Sequence, residues 1–321
     1  MGQLQRLKAM LEDNQNLFVE ALKKDLSKPY MECVIMEVGF MVNDILNTIY
    51  NLKDWMKPEK VEKPWYAFTD KAYISRDPLG VAVILSAWNY PVQLLISPLV
   101  GAIASGNCAV VKPSEISPAT AQLLADLIPR YLDKECYPVV LGGAAETTEL
   151  LKNKFDHIFY TGSVRVGRII YETAAKQFTP VTLELGGKCP TYIDDTVRYD
   201  YAAKRIMWGK LINSGQTCVA PDYVMCTKAV EEKFLTNVSK YLREWYGDDP
   251  KSRPIWLVLL TKACLIKLLG NGTIAIGGEY DPEELYIAPT VLTNIFGPIL
   301  PIITIDSLDE AVEFVNSRYV L

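Results

Sequence analysis

The chain has 321 residues, enough for one large domain or two medium ones. Hydrophobic residues make up 50% of it and charged residues 22%, a composition that allows a sizeable core and excludes disorder. The 33 Lys and Arg residues against 38 Asp and Glu give a net charge of -5, which argues against a nucleic-acid partner. We therefore expect a small-molecule partner.

Histidine and cysteine usage excludes several chemistries. His157 is the only histidine, so a Ser-His-Asp triad needs it as the base and a multi-histidine metal site is impossible. The seven cysteines are odd in number and form no C-x-x-C pair, which disfavours a disulfide framework and a zinc ribbon. This usage is typical of a reducing compartment, so we expect a cytoplasmic protein without a bound metal.

The N-terminal segment, residues 1–70, is predicted to be helical, because apolar residues recur at steps of three and four up to about residue 57. Its first residues lack the apolar core of a signal peptide. The longest apolar stretch, 255–269, has 15 residues and includes two lysines, short of the roughly 20 that a membrane-spanning helix needs. We predict no transmembrane segment.

Four short apolar runs that end in small or turn residues predict buried strands, at 81–89, 108–115, 137–143 and 157–163. Helical stretches lie between them; in one, Ser117 is suited to cap a helix that begins at Pro118. Alternating strands and helices predict an α/β fold with a Rossmann-type parallel sheet, whose ligands bind at the carboxyl ends of the strands. We assign a cofactor domain to residues 71–184.

A second unit is predicted over residues 185–321, where PVTLELGGKCP supplies a strand and a helical stretch follows. Cys218 lies in the sequence NSGQTCVA, a loop of small polar residues after that helix. Backbone amides in such a loop can point at a ligand, and a thiolate there is a competent nucleophile. The alternative is that Cys218 is simply a buried small hydrophobic residue, as free cysteines often are.

Two further polar residues end apolar strands. Glu184 stands between two leucines and beside two glycines, where burial would make its carboxylate basic enough to activate water. The alternative for Glu184 is a side chain that points outward from a half-buried strand and has no catalytic role. Asn89 closes VAVILSAWN, where its amide can donate to an oxyanion, although asparagine in a proline-containing turn is also common.

Phosphate and ribose contacts are predicted at two other strand ends. Residues Gly162 to Gly167 follow a strand and open a helix, where free amides, including that of Ser163, favour a phosphate. The pattern lacks the G-x-G-x-x-G fingerprint and a Walker lysine, so by itself it is weak. Lys112 and Glu115, in VVKPSE, could bind ribose hydroxyls, although alone each is more often a solvated charge.

Five motifs in this order, WNYP, VVKPSE, YTGS, LELGGK and NSGQTC, resemble the NAD(P)-dependent aldehyde dehydrogenases. The stretches CVAPDY, YLDK and ETTELLK are similar to the class 3 branch. The resemblance implies an aldehyde dehydrogenase-like fold in which Cys218 attacks the aldehyde. It also implies that Asn89 and the Cys218 amide hold the oxyanion, and that Glu184 activates the water that hydrolyses the thioester.

The same resemblance implies NAD or NADP as cofactor and medium- to long-chain or aromatic aldehydes as substrates. Lys112 and Glu115 would hold the adenosine ribose, and the segment from Gly162 through Ser163 to Gly167 would meet the pyrophosphate or the nicotinamide side. Phe296, in the sequence IFGP, would be a further cofactor contact. The family pairs as homodimers.

The sequence departs from the family pattern at three places. The family's glutamate directly before IFGP is missing, and residues 255–269 are more apolar than the corresponding family helix. The chain also ends at Leu321, before the family's C-terminal part and its subunit-pairing arm. We therefore expect a C-terminally truncated member with internal deletions and an incomplete catalytic domain, in which neither dimerisation nor turnover follows from the resemblance alone.

Two other functions stay open on these departures. One is a catalytically impaired relic that binds a nucleotide or a full-length relative. The other is a thiol esterase that uses Cys218 without NAD, since a residue that forms thioesters can also hydrolyse esters.

Overall fold

The structure, a computed structural model, describes residues 1–249, 273–281, 283, 286–293 and 299–317. The chain divides into two compact units. Unit 1 comprises Met1–Asp25 and Tyr30–Gly186, and unit 2 comprises Leu26–Pro29 and Gly187–Leu321. The functions assigned to residues 1–70, 71–184 and 185–321 stay predictions.

Helices occupy the N-terminal region, as the periodicity predicts. The first helices of the chain are α1 (Gly2–Asp13), α2 (Gln15–Leu26), α3 (Tyr30–Glu32) and α4 (Gly39–Trp55). A π-helix, Cys33–Val38, joins α3 to α4. The apolar residues at steps of three and four in α1, from Leu4 to Leu11, are fully buried.

The helical run Tyr30–Trp55 is long and apolar enough, by length and composition, to cross a membrane. A core helix meets the same criterion. Here Met41, Ile45 and Leu52 are buried, and α4 packs against α1 and against α5 (Gln93–Ala104). Packing within unit 1 accounts for the buried third of this run, whereas Met31, Ile35 and Tyr50 are exposed.

The sheet of unit 1 has four parallel strands: β3 (Val81–Leu85), β4 (Cys108–Lys112), β5 (His157–Gly162) and β6 (Val181–Leu185). Their order is β4-β3-β5-β6, and each pair is parallel. The remaining helices of this unit are α6 (Pro118–Tyr131), α7 (Ala144–Leu150) and α8 (Val164–Ala175). Two short antiparallel strands, β1 (Glu59–Lys60) and β2 (Tyr73–Ile74), stand outside the sheet.

The strand predictions are confirmed for three of the four apolar runs. The run at 137–143 is not a strand, because it contributes only an isolated parallel bridge between Val139 and Val111. Backbone hydrogen bonds join it to β4 only from Cys136 to Val140, and α7 begins at Ala144.

Helix α6 begins at Pro118 with Ser117 before it, as predicted, but Ser117 does not cap the helix with its side chain. Its hydroxyl instead donates to the carbonyl oxygen of Trp88, at 3.0 Å. The amides of Ala119 and Thr120 donate to the carboxylate of Asp25, at 2.9 and 2.7 Å. A distant residue thus satisfies the amides that the sequence assigns to Ser117.

The sheet of unit 2 has the order β7-β8-β13-β12-β9. Its strands are β7 (Pro190–Ile193), β8 (Tyr223–Cys226), β9 (Thr273–Ile276), β12 (Val291–Thr293) and β13 (Leu300–Thr304), all parallel to their neighbours except β9. β10 (Tyr280–Asp281) and β11 (Tyr286–Ile287) form an antiparallel pair. The α-helices in the described part of this unit are α9 (Tyr199–Leu211), α10 (Lys228–Tyr246) and α11 (Leu308–Asn316). Helices α9 and α10 pack together over a core that includes Met207, Val224 and Phe234.

Candidate active site

The carboxyl ends of the four unit 1 strands lie at one edge of the sheet. Asn89 follows β3, Lys112 ends β4, Gly162 ends β5, and Glu184 is the penultimate residue of β6. Neighbouring strands lie about 4.8 Å apart, so these groups extend over roughly 14 Å. In parallel sheets this edge is where ligands bind.

Lys112 and Glu115 form an ion pair at the end of β4, with Lys112 Nζ 3.2 Å from Glu115 Oε2. The lysine side chain is buried, whereas the glutamate is half exposed. Lys112 Nζ also donates to the carbonyl oxygen of Pro113, at 3.2 Å. The pair therefore presents a donor and an acceptor side by side, the combination that two neighbouring hydroxyls require.

Residues Gly162 to Gly167 form a tight strand-to-helix turn. A Cβ at Gly162 would lie 2.2 Å from the hydroxyl of Tyr160, and one at Gly167 would lie 2.7 Å from Leu185. Ser163 caps α8, because its hydroxyl accepts from the amide of Val166 at 3.4 Å. The glycines thus let the side chains of Tyr160 and Leu185 pack closely beside a helix N-terminus, which attracts anions.

Glu184 is exposed on β6, opposite Thr161 of β5 in the parallel register. The burial that we expected from the flanking leucines is therefore wrong, because alternation turns this side chain outward while its neighbours pack inward. Exposure leaves the carboxylate accessible to water.

Asn89 is half buried in the loop between β3 and α5. A fully buried carboxylate, that of Glu37 in the π-helix, anchors the start of α5 four residues further on. Its Oε2 atom accepts from the amides of Val92 and Gln93, at 3.1 and 2.9 Å. No predicted site includes Glu37; the signal that could have identified it is an acidic residue within the apolar run CVIMEVGFM.

Cys218 belongs to unit 2 and is exposed in the loop that follows α9, so the alternative of a buried hydrophobic residue is wrong. The loop begins with three consecutive residues at positive φ: Asn213 at 53°, Ser214 at 53° and Gly215 at 69°. The buried amide of Asn213 donates to the carbonyl oxygen of Gln216 at 3.1 Å, and the side chain of Gln216 donates back to Asn213 O at 3.1 Å. These bonds hold a conformation that is costly for residues other than glycine.

The loop that carries Cys218, residues 212–222, is fixed to the segment that leads into β7. Cys189 Sγ lies 3.2 Å from the carbonyl oxygen of Cys218. The amide of Cys189 donates to Asp222 Oδ2 at 3.0 Å, and the amide of Asp222 donates to Cys189 O at 2.9 Å. Burial, together with the charge of Asp222, raises the pKa of the Cys189 thiol.

Lys210 is a buried lysine at the end of α9, only 5% exposed. Its Nζ has no hydrogen-bond partner in the described part of the chain. Burial lowers the pKa of Lys210 to about 8, although the carboxylate of Asp222 works in the opposite direction. Its side chain passes under Gly215, where a Cβ would lie 3.5 Å from Lys210 Cδ and Cε. Neither Lys210 nor Cys189 is among the predicted site residues.

His157 lies at the amino end of β5, the opposite edge of the sheet from Gly162. Its Nε2 atom is 3.0 Å from the hydroxyl of Thr182, and burial lowers its pKa. The histidine is therefore not part of the strand-end cluster. Phe296, the remaining predicted cofactor contact, lies outside the described residues.

Comparison with known proteins places the chain in a family. The model of the aldehyde dehydrogenase family matches residues 2–320. Mouse aldehyde dehydrogenase family 3 member B1 is 46% identical over 331 residues, covering 99% of this chain and 71% of the relative. The dimeric NADP-preferring aldehyde dehydrogenase of mouse is 45% identical, covering 98% of this chain and 73% of the relative.

Solved structures agree with this family. The substrate-bound AldH of Staphylococcus aureus is 38% identical with a TM-score of 0.93, covering 98% of this chain and 72% of that chain. A Mycobacterium tuberculosis aldehyde dehydrogenase complexed with NAD+ is 23% identical with a TM-score of 0.83, covering 98% and 71%, which shows the shared fold. The chain therefore belongs to the aldehyde dehydrogenase family, oxidoreductases that convert aldehydes to carboxylic acids with NAD or NADP.

Proposed function

We propose that this chain oxidises medium- to long-chain or aromatic aldehydes, with Cys218 as nucleophile, Asn89 as oxyanion donor and Glu184 as general base. The family supports the reaction, and the likeness to its class 3 branch supports the substrate range. The observation that carries the assignment in unit 1 is the parallel order β4-β3-β5-β6, which aligns the proposed cofactor and catalytic groups along one edge.

In the first step the sulfur of Cys218 bonds to the aldehyde carbon, and the carbonyl oxygen becomes an oxyanion. The amide of Asn89 and the backbone N–H of Cys218 donate to that oxygen. When bound, NAD(P)+ would accept a hydride from the adduct on Cys218, and loss of that hydride would leave a thioester. Glu184 then takes a proton from water, whose oxygen attacks the thioester carbon; the C–S bond breaks and the acid leaves.

The residues present fit NAD or NADP. The buried Lys112 beside Glu115 suits the paired hydroxyls of a ribose. The glycines at 162 and 167, with the N-terminus of α8, suit a pyrophosphate. Ser163 and Phe296 complete the proposed contacts, and the relatives that prefer NADP or hold NAD+ support both cofactors.

The test is formation of reduced nicotinamide by the purified protein with a long-chain aldehyde and NAD or NADP, measured by absorbance. We expect turnover that disappears in Cys218→Ser. The matched control is Cys136→Ser, a half-buried thiol of unit 1, which should keep turnover. A Cys218→Ser protein that retains turnover would contradict the proposal.

The same preparations separate the two alternatives. Nucleotide binding by a folded protein without turnover would identify the impaired relic. Ester hydrolysis that needs Cys218 but no nucleotide would identify the thiol esterase.

We also propose a cytoplasmic location. The six described cysteines are all free thiols, which supports a reducing compartment. Fractionation of cells tests this location, and a membrane-bound protein would contradict it. A mouse relative is named as dimeric, but this chain departs from the family pattern, so we propose no oligomeric state; light scattering of the purified protein distinguishes a monomer from a dimer.

A further inference from the structure

Within unit 2, the thiol of Cys189 lies against the backbone of Cys218, at the amino edge of the sheet. Cys189 directly precedes β7 and Asp222 directly precedes β8, and the parallel register pairs the next residues, Pro190 with Tyr223. The reciprocal hydrogen bonds between Cys189 and Asp222 extend this register by one residue. Cys218 is four residues before Asp222, so the sheet itself fixes the loop of the nucleophile beside Cys189.

The sulfur of Cys189 is directed at the backbone of the nucleophile. It lies 3.2 Å from the carbonyl oxygen of Cys218. The neighbouring Gly187 has no side chain to separate them, since a Cβ there would lie 3.6 Å from Cys218 O and 3.8 Å from Cys189 Sγ. A disulfide requires the two sulfurs to approach to about 2.05 Å. Cys218 and Val219 are exposed, so a local movement of this loop can bring the sulfur of Cys218 to that of Cys189.

The two thiols differ in a way that sets an order of reaction. Cys218 is exposed, whereas Cys189 is half buried and donates its proton to Cys218 O. Burial raises the pKa of Cys189, which keeps it in the thiol form and makes it a poor first target for an oxidant. An oxidant in solution therefore meets Cys218 first.

We propose that Cys189 is a resolving thiol, which converts peroxide-oxidised Cys218 into a reversible Cys189–Cys218 disulfide. This inference rests on the proposed role of Cys218 as an accessible nucleophile. It assigns to Cys189 a protective modification that stops turnover while it lasts and shields the nucleophile from irreversible oxidation.

The chemistry balances with hydrogen peroxide as the oxidant. The Cys218 thiolate attacks one peroxide oxygen, the S–O bond forms, the O–O bond breaks and hydroxide leaves, giving a sulfenic acid. The sulfur of Cys189 then attacks the Cys218 sulfur, the S–S bond forms, the S–O bond breaks, and the hydroxyl leaves as water with the proton from Cys189. The raised pKa slows this attack, but fixed proximity makes it intramolecular. A dithiol reductant returns both cysteines to thiols.

The experiment treats the full chain with hydrogen peroxide, then maps its cysteines by mass spectrometry of non-reduced peptides. We expect a linked peptide that joins Cys189 to Cys218, loss of turnover, and return of turnover with dithiothreitol. In Cys189→Ser the linked peptide should be absent, Cys218 should accumulate as sulfinic or sulfonic acid, and dithiothreitol should restore no turnover. Serine keeps the hydrogen bond to Cys218 O, so the loop is expected to fold.

The matched control is Cys136→Ser, which should behave as the unmodified chain. A map of the unmodified chain in which Cys218 is sulfinic acid while Cys189 is a free thiol would overturn the proposal, as would a link from Cys218 to another cysteine. Reactivation of the Cys189→Ser protein would overturn it too. The map needs no turnover, so failure of the proposed function, seen as an inactive chain before oxidation, is distinguished from failure of the disulfide.

Discussion

The two units position their polar groups by opposite means. Unit 1 uses the edge of its sheet where the four strands end, and unit 2 uses the loop that carries Cys218, residues 212–222. In unit 1, regular parallel strands bring Asn89, Lys112 and Glu184 to one edge without unusual backbone angles. In unit 2, three successive residues from Asn213 at positive φ precede Cys218, and the Nζ atom of Lys210 has no partner among the residues that the structure describes. The positions at the unit 1 edge follow from the order of the strands. The loop in unit 2 instead combines positive φ angles with the buried charge of Lys210, and the rest of the unit must offset the cost of both.

Changing the proposed base at the edge should have the largest effect. Glu184→Gln keeps the size of the side chain but cannot take a proton from water, so steady-state turnover should fall about 10²- to 10⁴-fold. Because hydride loss precedes hydrolysis, one equivalent of reduced nicotinamide should still form rapidly. Stopped-flow absorbance with NAD and an aldehyde measures both phases.

The control for this change is Glu172→Gln, an exposed glutamate of α8 in the same unit. It should retain turnover. A Glu184→Gln enzyme with undiminished steady-state rate would remove Glu184 from the mechanism.

Removing the buried charge under the loop should stabilise unit 2. Lys210→Met replaces an ammonium group that has no hydrogen-bond partner in the described ranges by an apolar chain of similar length, so the free energy of unfolding at neutral pH should rise by about 3 kcal/mol. The folded-state pKa is about 8 against an ordinary 10.5, so the unfolded chain binds more protons between these values. Stability of the unmodified chain therefore rises with pH across that window, and the advantage of Lys210→Met should shrink.

Denaturant unfolding between pH 7 and about pH 9.5 measures this difference. Lys204→Met, a change of an exposed lysine on the same helix, is the control and should give no such gain. A Lys210→Met protein less stable than the unmodified chain at neutral pH would show that the ammonium group is needed in place.

Loss of the carboxylate that anchors the Asn89 loop should have a moderate effect. Glu37→Gln removes the charge that accepts from the amides of Val92 and Gln93 at the start of α5. Hydrogen bonds to charged groups contribute about 1.5–3 kcal/mol, so the free energy of unfolding should fall by about that amount. Thermal and denaturant unfolding measure it.

Glu20→Gln, on the exposed surface of α2, is the control for this change and should leave stability unaltered. Equal stability of the Glu37→Gln and Glu20→Gln proteins would mean that the helix start does not need a carboxylate.

The sequence was sufficient for the features that depend on local patterns. The runs that become β3, β4 and β5 carry their own apolar signal and end in the residues that form the edge. It was insufficient where a distant partner decides. Ser117 has the sequence of a cap, yet Asp25, more than ninety residues away, takes the amides of α6. Nothing within a window of neighbouring residues reports such a contact.

The loop that carries Cys218 also depends on residues that are distant in sequence. The motif NSGQTC identified Cys218 and its loop, but not the register of β7 and β8 that places Cys189 against it. The burial of Lys210 likewise depends on packing around α9 rather than on its neighbours in sequence. The exposure of Glu184 had a local signal in the alternation of β6, which we set aside because of the two glycines that follow the strand.

The smallest effect should come from His157, at the edge of the unit 1 sheet that carries no predicted site residue. Burial lowers the pKa of its imidazole from the ordinary 6.5, and its Nδ1 atom has no partner in the described residues. The unfolded chain therefore takes up a proton first as the pH falls below 6.5, and stability should be lost there. His157→Gln can keep a hydrogen bond to Thr182 while removing the titration, so its unfolding free energy should depend less on pH between 5 and 7. Because this edge lies away from the strand ends, turnover should be unchanged; parallel pH profiles in the two proteins would assign the acid sensitivity to other groups.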